Sequence, residues 1–220
     1  MAQDALPPAR RDLAATLRAA AAGTFPAVDG GYSRALPWRE GVEAALAFTG
    51  HAVLAVGEDV TDERLRDLGV HGFGGAHDPR TTLALAGEGE IGILDVLLAG
   101  RGTGPPSALV ERPDLAQSAR ARHADHWRDD VVVLGLPQRS QTSLATLGRG
   151  IGGLPEIGLE AEDGSADALL EGLLRRLPAG EVVLASVTPG NARSLRFFLR
   201  HGFAPIASVQ QWRPERDLSR

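Results

Sequence analysis

The chain contains no cysteine and no lysine, and these two absences exclude several kinds of chemistry. All 23 basic residues among its 220 are arginines. Without cysteine, disulfides, thiolate metal sites and cysteine nucleophiles are excluded. Without lysine, neither a Schiff base nor a lysine general base is available. Any catalytic function must therefore use carboxylates, histidines, hydroxyls or backbone groups.

The sequence also lacks an excess of positive charge and any long apolar run. The formal net charge is −5, so we expect no nucleic-acid partner. No stretch reaches the roughly 18 apolar residues that a membrane helix requires. Arg10, Arg11 and Arg18 interrupt the N-terminal segment where a secretion signal would have its apolar core. We therefore expect a cytoplasmic protein that does not associate with membranes.

A proline- and glycine-rich segment at residues 101–113, RGTGPPSALVERP, predicts a linker between two halves. We place the halves at residues 1–112 and 113–220. For the first half, hydrophobic periodicity predicts helices and strands in alternation, with helices over 11–22, 39–48, 61–68 and 81–86 and strands over 51–56 and 91–100. The second half is predicted to hold helices over 114–127, 165–177 and 191–202 and strands over 130–136, 142–150, 154–162, 182–187 and from 203 onward. This order indicates an α/β fold.

The segment NARSLRFFLRHGF, residues 191–203, carries the most specific pattern of the chain. Asn191 is predicted to cap a helix whose apolar face holds Leu195, Phe198 and Leu199 and which ends at Gly202. Together with its flanking strands, this segment resembles the end of the GNAT (GCN5-related N-acetyltransferase) superfamily, where the pattern is roughly N-x-x-[AS]-x-x-[FL]-[YF]-x-[RK]-x-G-F. The resemblance covers residues 114–220.

The resemblance implies a fold, a cofactor and a reaction. The fold would be a GNAT-type mixed sheet flanked by helices, with an additional α/β N-terminal half that is interpretable as a degenerate copy of the same unit. The protein would be an N-acyltransferase that moves an acetyl or acyl group from coenzyme A to a small amine. The residues that the resemblance places at the cofactor, acetyl-CoA, are Leu159, Ala161, Gly164, Ser165 and Asn191.

The loop that would hold the coenzyme A pyrophosphate is about five residues shorter here than in the family and is rich in acids. Two like charges about 4 Å apart repel by roughly 4 kcal/mol at an effective dielectric constant of about 20. A helix dipole supplies typically about 0.3–1 kcal/mol to a bound anion. Phe198 also replaces the Tyr that serves many family members as general acid. The alternative is therefore a GNAT-fold protein that has lost coenzyme A and acts as a coenzyme-independent enzyme, a ligand-binding protein or an interaction module, the last as a homodimer.

Carboxylates alternate along the predicted strand 154–162, which places Glu156, Glu160 and Glu162 on one face. Burying such a row would be costly unless it serves a function. We predict that Glu160 and Glu156 act as general base or amine anchor, and that Glu162 contributes to substrate binding. The alternative interpretation is a solvated strand face.

Three further residues are candidates for substrate binding. His77 and Asp78 lie in the glycine-rich segment HGFGGAHDPR, where a His beside an Asp can act as a base. Asp95 lies within the apolar run ILDVLL, where an acid needs a partner. The structural alternatives are a turn before Pro79 and an ion pair with an arginine. We predict a small-molecule amine or another cationic ligand as the partner, and no metal.

Overall fold

The computed structural model describes residues 12–138, 142–161 and 164–216. In these ranges the chain forms six α-helices and eleven β-strands, so the predicted α/β class is confirmed. The chain divides into two units, one of residues 1–96 with 206–220 and one of residues 97–205. The predicted boundary at 112/113 falls inside the second unit, and the last strand returns to the first.

The helices are α1 (Leu13–Ala21), α2 (Asp62–Asp67), α3 (Pro79–Ala86), α4 (Ala119–Trp127), α5 (Ala166–Leu174) and α6 (Ala192–Arg200). The strands are β1 (Tyr32–Ala35), β2 (Glu43–Phe48), β3 (His51–Ala55), β4 (Glu90–Ile91), β5 (Asp95–Arg101), β6 (Val110–Glu111), β7 (Asp129–Gly135), β8 (Leu144–Arg149), β9 (Pro155–Glu160), β10 (Val182–Val187) and β11 (Ala204–Arg213). None of the helices in the described ranges has the length and apolarity that crossing a bilayer demands.

In the first unit the strands follow the order β1-β3-β2-β11, and β4 pairs with β11. β1 runs parallel to β3, whereas β2 is antiparallel to both β3 and β11. Apolar residues of these strands and of α2 and α3 form a buried core that includes Leu54, Leu65, Leu85 and Trp212. The core fixes the faces of the strands, because side chains alternate between the two sides of a sheet.

The predicted helix over 39–48 is wrong, because this segment forms β2. Its alanines and leucine favour a helix in isolation, and a short apolar run cannot be told from a buried helix by periodicity. Five of its six residues are buried, and β3 and β11 bond to its two edges. Gly50, with φ of +69°, closes the two-residue turn that pairs Phe48 with His51. Tertiary pairing therefore overrides helix propensity here.

In the second unit the strands follow the order β5-β10-β9-β8-β7-β6. β9 and β10 are parallel, and the pairs β8–β9, β7–β8 and β6–β7 are antiparallel. Helices α4 and α5 pack on β8 and β9. The predicted strands at 130–136, 142–150, 154–162 and 182–187 are confirmed with small shifts of their ends. The predicted helix over 114–127 begins later, at a Ser118 cap, after a separate 3-10 turn.

Candidate functional site

The parallel strands β9 and β10 share a short ladder near the N-terminal end of β9. Among the described residues this ladder holds one pair, Leu184 opposite Glu156. From that point on, β9 continues to pair with β8 as far as Leu144 opposite Glu160. One backbone edge of β9 beyond Glu156 is thus outside any described ladder. Since α5 follows β9 and α6 follows β10, the N-termini of these two helices follow the C-terminal ends of the two strands.

Glu156 is buried at the ladder pair between β9 and β10, and both of its carboxylate oxygens accept hydrogen bonds. Its Oε1 lies 2.7 Å from Nη2 of Arg128 and accepts a hydrogen bond of 3.1 Å from Oγ of Ser186 on β10. Its Oε2 accepts the backbone N–H of Ile151 at 3.3 Å. Both oxygens therefore have partners, and the carboxylate joins β9 to β10. This position makes Glu156 a structural carboxylate rather than an accessible general base.

Positive charge surrounds the buried end of Glu156. Arg128 donates to Oγ1 of Thr146 at 3.4 Å, and a Cβ on Gly158 would lie 3.4 Å from its Nη1. Burial lowers the pKa of His123, and the neighbouring Arg120 and Arg128 lower it further. The glycine at position 158 therefore leaves room mainly for Thr146, whose Oγ1 would lie 2.8 Å from a Cβ there.

The other predicted residues of β9 lie nearer the surface. Glu160 is exposed at the end of the strand, and Leu159 and Ala161 are half-buried. Glu162 lies outside the described residues. Glu156 and Glu160, which alternation predicts on one face, therefore differ in burial: Glu156 is buried and Glu160 is exposed. Among the predicted glutamates of this strand that the structure describes, Glu160 is the exposed one.

The N-terminus of α5 combines open space with a compensated acid. Gly164 has φ of +79°, and among the described residues no atom lies within 4 Å of the Cβ it lacks. Ser165 occupies the N-cap position, and its side chain makes no capping hydrogen bond. The first-turn residue Asp167 lies 2.8 Å from Nε2 of His201, whose Nδ1 lies 2.8 Å from the carbonyl of Phe197. A protonated His201 would neutralise part of the negative charge at this terminus.

Asn191 caps α6, as predicted. Its Oδ1 accepts the backbone N–H of Ser194 at 3.1 Å. Phe198 is buried on the inner face of the helix and packs edge-on against Phe203, with ring centroids 5.0 Å apart. Phe198 is thus a core residue of the second unit.

His77 and Asp78 belong to the first unit and have structural partners there. Nε2 of His77 lies 3.1 Å from the carbonyl of Ala45, and its Nδ1 lies 3.3 Å from Oγ of Ser208. Burial lowers the pKa of His77. Asp78 caps α3 and accepts the N–H of Arg80 at 2.8 Å. The two side chains therefore do not act on each other.

Asp95 begins β5 and is half-buried. It follows the exposed residues Ile93 and Leu94, so it lies at the margin of the apolar run rather than within a buried one. The predicted strand 91–100 is divided into β4 and β5 at this point. A role for Asp95 in substrate binding stays a prediction.

Three hydrogen-bonded side chains in the first unit, Ser33, His51 and Asp29, have no signature in the sequence. Oγ of Ser33 lies 3.0 Å from Nε2 of His51, and Nδ1 of His51 lies 2.8 Å from Oδ1 of Asp29. Ser33 is in β1, which lies outside the predicted helices and strands, and His51 begins β3. The pairing of β1 with β3 brings them together, and no sequence spacing signals it.

The chain matches no family model and no curated protein. Among solved structures it is similar to a GCN5-related N-acetyltransferase from Kribbella flavida, with 15% identity and a TM-score of 0.35. That alignment covers 63% of this chain and 65% of the other, so it spans less than two thirds of the other protein's length. A TM-score of this size does not establish a shared fold.

Proposed function

We propose that the second unit is an acyltransferase of the GNAT type that transfers an acetyl or acyl group from coenzyme A to a small amine. The observation that carries the proposal is the single-pair ladder between the parallel strands β9 and β10. A short ladder leaves backbone groups that a ligand can bond, whereas a continuous ladder would consume them. The motif of residues 191–203 and the order of elements from α4 to α6 support the same interpretation.

The residues at the start of α5 fit a bound pyrophosphate sterically. Gly164 leaves open space there. Backbone N–H groups of a first helical turn favour an anion. Nε2 of His201 lies 2.8 Å from the carboxylate of Asp167, and a protonated His201 would offset its charge. Gly164 and Ser165 would hold the pyrophosphate, while Leu159, Ala161 and Asn191 would border the rest of the cofactor, which supplies an acyl thioester.

Glu160 is the residue to which we assign the general base. It is exposed at the end of β9, and a carboxylate within hydrogen-bond reach of an ammonium can take its proton directly or through one water. Backbone N–H groups on the unpaired edge of β9 would stabilise the negative charge that develops on the thioester oxygen. Glu156 has a different task, because its bonds to Arg128 and Ser186 hold the two strands together at their ladder pair.

A second candidate function follows from the charge of the same region. Glu160 and Asp167 are both exposed, and like charges near a pyrophosphate oppose its binding. If the loop does not hold coenzyme A, the unit is a binding protein for an amine or another cationic ligand, with Glu160 as anchor.

Calorimetric titration separates the two functions. We would titrate the full chain with acetyl-CoA, with desulfo-CoA as a non-acylated control, and then with a panel of small amines. The acyltransferase predicts micromolar binding of both coenzymes and acyl transfer to at least one amine. Amine binding without coenzyme binding at millimolar concentration would support the second function.

A further inference from the structure

Three side chains of the first unit, Ser33, His51 and Asp29, are joined by hydrogen bonds and have no part in the proposed acyl transfer. Ser33 lies opposite Val53 in the parallel ladder of β1 and β3. His51 precedes Val53 by two residues, so Ser33 and His51 share one face of the sheet. The loop before β1 brings Asp29 to the other ring nitrogen of His51. The three side chains thus form a line from a hydroxyl through an imidazole to a carboxylate.

The hydrogen bonds give this line a direction. Asp29 accepts from Nδ1 of His51 and from the backbone N–H of Gly31 at 2.8 Å, and these bonds lower the pKa of the Asp29 carboxyl. An ionised carboxylate only accepts hydrogen bonds, so Nδ1 of His51 carries the proton. In the neutral imidazole, Nε2 then offers its lone pair to the hydroxyl of Ser33, 3.0 Å away. A base in this orientation can remove the hydroxyl proton.

We propose that Ser33 is a nucleophile activated by His51 and oriented by Asp29, and that the first unit hydrolyses small activated acyl esters. Oγ of Ser33 would form a bond to the acyl carbon while the ester C–O bond breaks. Nε2 of His51 takes the serine proton and passes it to the leaving alkoxide. In the second step Nε2 of His51 takes a proton from water while the water oxygen bonds to the acyl carbon. That proton passes to Oγ of Ser33 as its bond to the acyl carbon breaks, and the carboxylic acid leaves.

Because the nucleophile is buried, an acyl group can reach it only when the side chains around it move. Ser33 is 2% exposed and His51 3% exposed. The side chain of Phe73, which is 67% exposed, lies over the glycines next to Asp29 and His51. A Cβ on Gly30 would lie 2.7 Å from Cε2 of Phe73, and one on Gly50 would lie 3.0 Å from its Cε1. The Phe73 ring therefore packs over Gly30 and Gly50, which adjoin Asp29 and His51 in the sequence.

The same unit provides a matched control. Ser208 also lies beside a histidine, with 3.3 Å between its Oγ and Nδ1 of His77. The other nitrogen of His77 lies 3.1 Å from the backbone carbonyl of Ala45, a neutral acceptor rather than a carboxylate. Ser208 thus has a neighbouring imidazole without the carboxylate that orients His51.

The test is covalent labelling of the full chain with a fluorophosphonate, read by intact mass and peptide mapping. We expect one adduct, on Ser33, together with slow hydrolysis of 4-nitrophenyl acetate. Ser33→Ala should abolish both. His51→Gln and Asp29→Asn should slow them by about 100-fold or more. Ser208→Ala should leave both rates unchanged, and Phe73→Ala should raise them by opening access.

The wild-type adduct is read first, so the outcome does not depend on whether a buried variant folds. Circular dichroism melting would check each variant in parallel. A folded wild-type protein and a folded Phe73→Ala variant that both lack an adduct on Ser33 would overturn the proposal. An adduct on another serine that survives in Ser33→Ala would also overturn it. Either result leaves the coenzyme A titration unaffected, because that experiment reports on the second unit.

Discussion

The carboxylate of Glu156 lies 2.7 Å from the guanidinium of Arg128, and both side chains are buried, with 4% and 8% of their surface exposed. The pair sits where β9 and β10 share their one described ladder pair. Ser186 adds a hydrogen bond from β10 to the same carboxylate. The ion pair and the Ser186 hydrogen bond thus hold β9 and β10 together at their ladder pair, next to the proposed site.

Removal of this carboxylate charge should destabilise the protein strongly. Glu156→Gln leaves the buried guanidinium of Arg128 without its counter-charge, and breaking a buried pair costs about 3–5 kcal/mol. Urea denaturation would measure the loss in free energy of unfolding. Glu160→Gln, on the same strand but exposed, is the control and should change it by less than about 0.5 kcal/mol. Similar stability of the two variants would contradict the structural role of Glu156.

Loss of the proposed base should reduce turnover without affecting the cofactor. Glu160→Gln keeps the size of the side chain but cannot accept a proton, so kcat for acyl transfer should fall by about 10²–10⁴-fold. The KM for acetyl-CoA should stay the same. Glu171→Gln is a suitable control, because Glu171 is an exposed glutamate of α5 that pairs with Arg175. Unchanged kcat in Glu160→Gln would remove Glu160 from the mechanism.

The cap of α6 should contribute a modest amount to stability. Asn191→Ala removes the acceptor for the N–H of Ser194 and should lower the free energy of unfolding by about 1 kcal/mol. Asn191→Asp retains an acceptor and should restore most of the loss. Thermal melts of the three proteins would decide, and equal melting temperatures for the alanine and aspartate variants would argue against the cap.

Stability should fall on the acidic side of neutrality through His77. Burial lowers the pKa of His77 in the folded protein, so the unfolded chain binds the proton more readily. The stability contributed by this group is present above the histidine pKa of the unfolded chain, about 6.5. It is lost progressively as pH falls through that value toward the lower folded pKa. Denaturation at several pH values should show a weaker dependence in His77→Gln than in the wild type.

Most elements of the second unit could be predicted because local residues, such as helix caps and glycines, mark where they begin and end. Asn191 begins α6, Gly202 follows its end, and the flanking apolar runs form strands. The alternation of β9 also predicted which residues share a face. It did not reveal that Arg128, from the end of α4, neutralises Glu156, because that contact depends on packing between distant segments.

The first unit shows where local patterns mislead. The segment Glu43–Phe48 has helix-forming residues but becomes a central strand, since its neighbours in the sheet come from β3 and from the end of the chain. The chain Ser33–His51–Asp29 depends on the same sheet, so it was invisible in sequence. His77 and Asp78, adjacent in sequence, proved to face different partners.

The most direct test of the proposed acyltransferase is calorimetric titration of the full chain with acetyl-CoA, compared with a Gly164→Glu variant. The added carboxylate would enter the open space at the start of α5, where the pyrophosphate is proposed to bind. The account predicts micromolar binding to the wild type and at least a tenfold weaker affinity in the folded variant, about 1.4 kcal/mol. Absence of wild-type binding at millimolar concentration, or equal affinity of the two proteins, would contradict it.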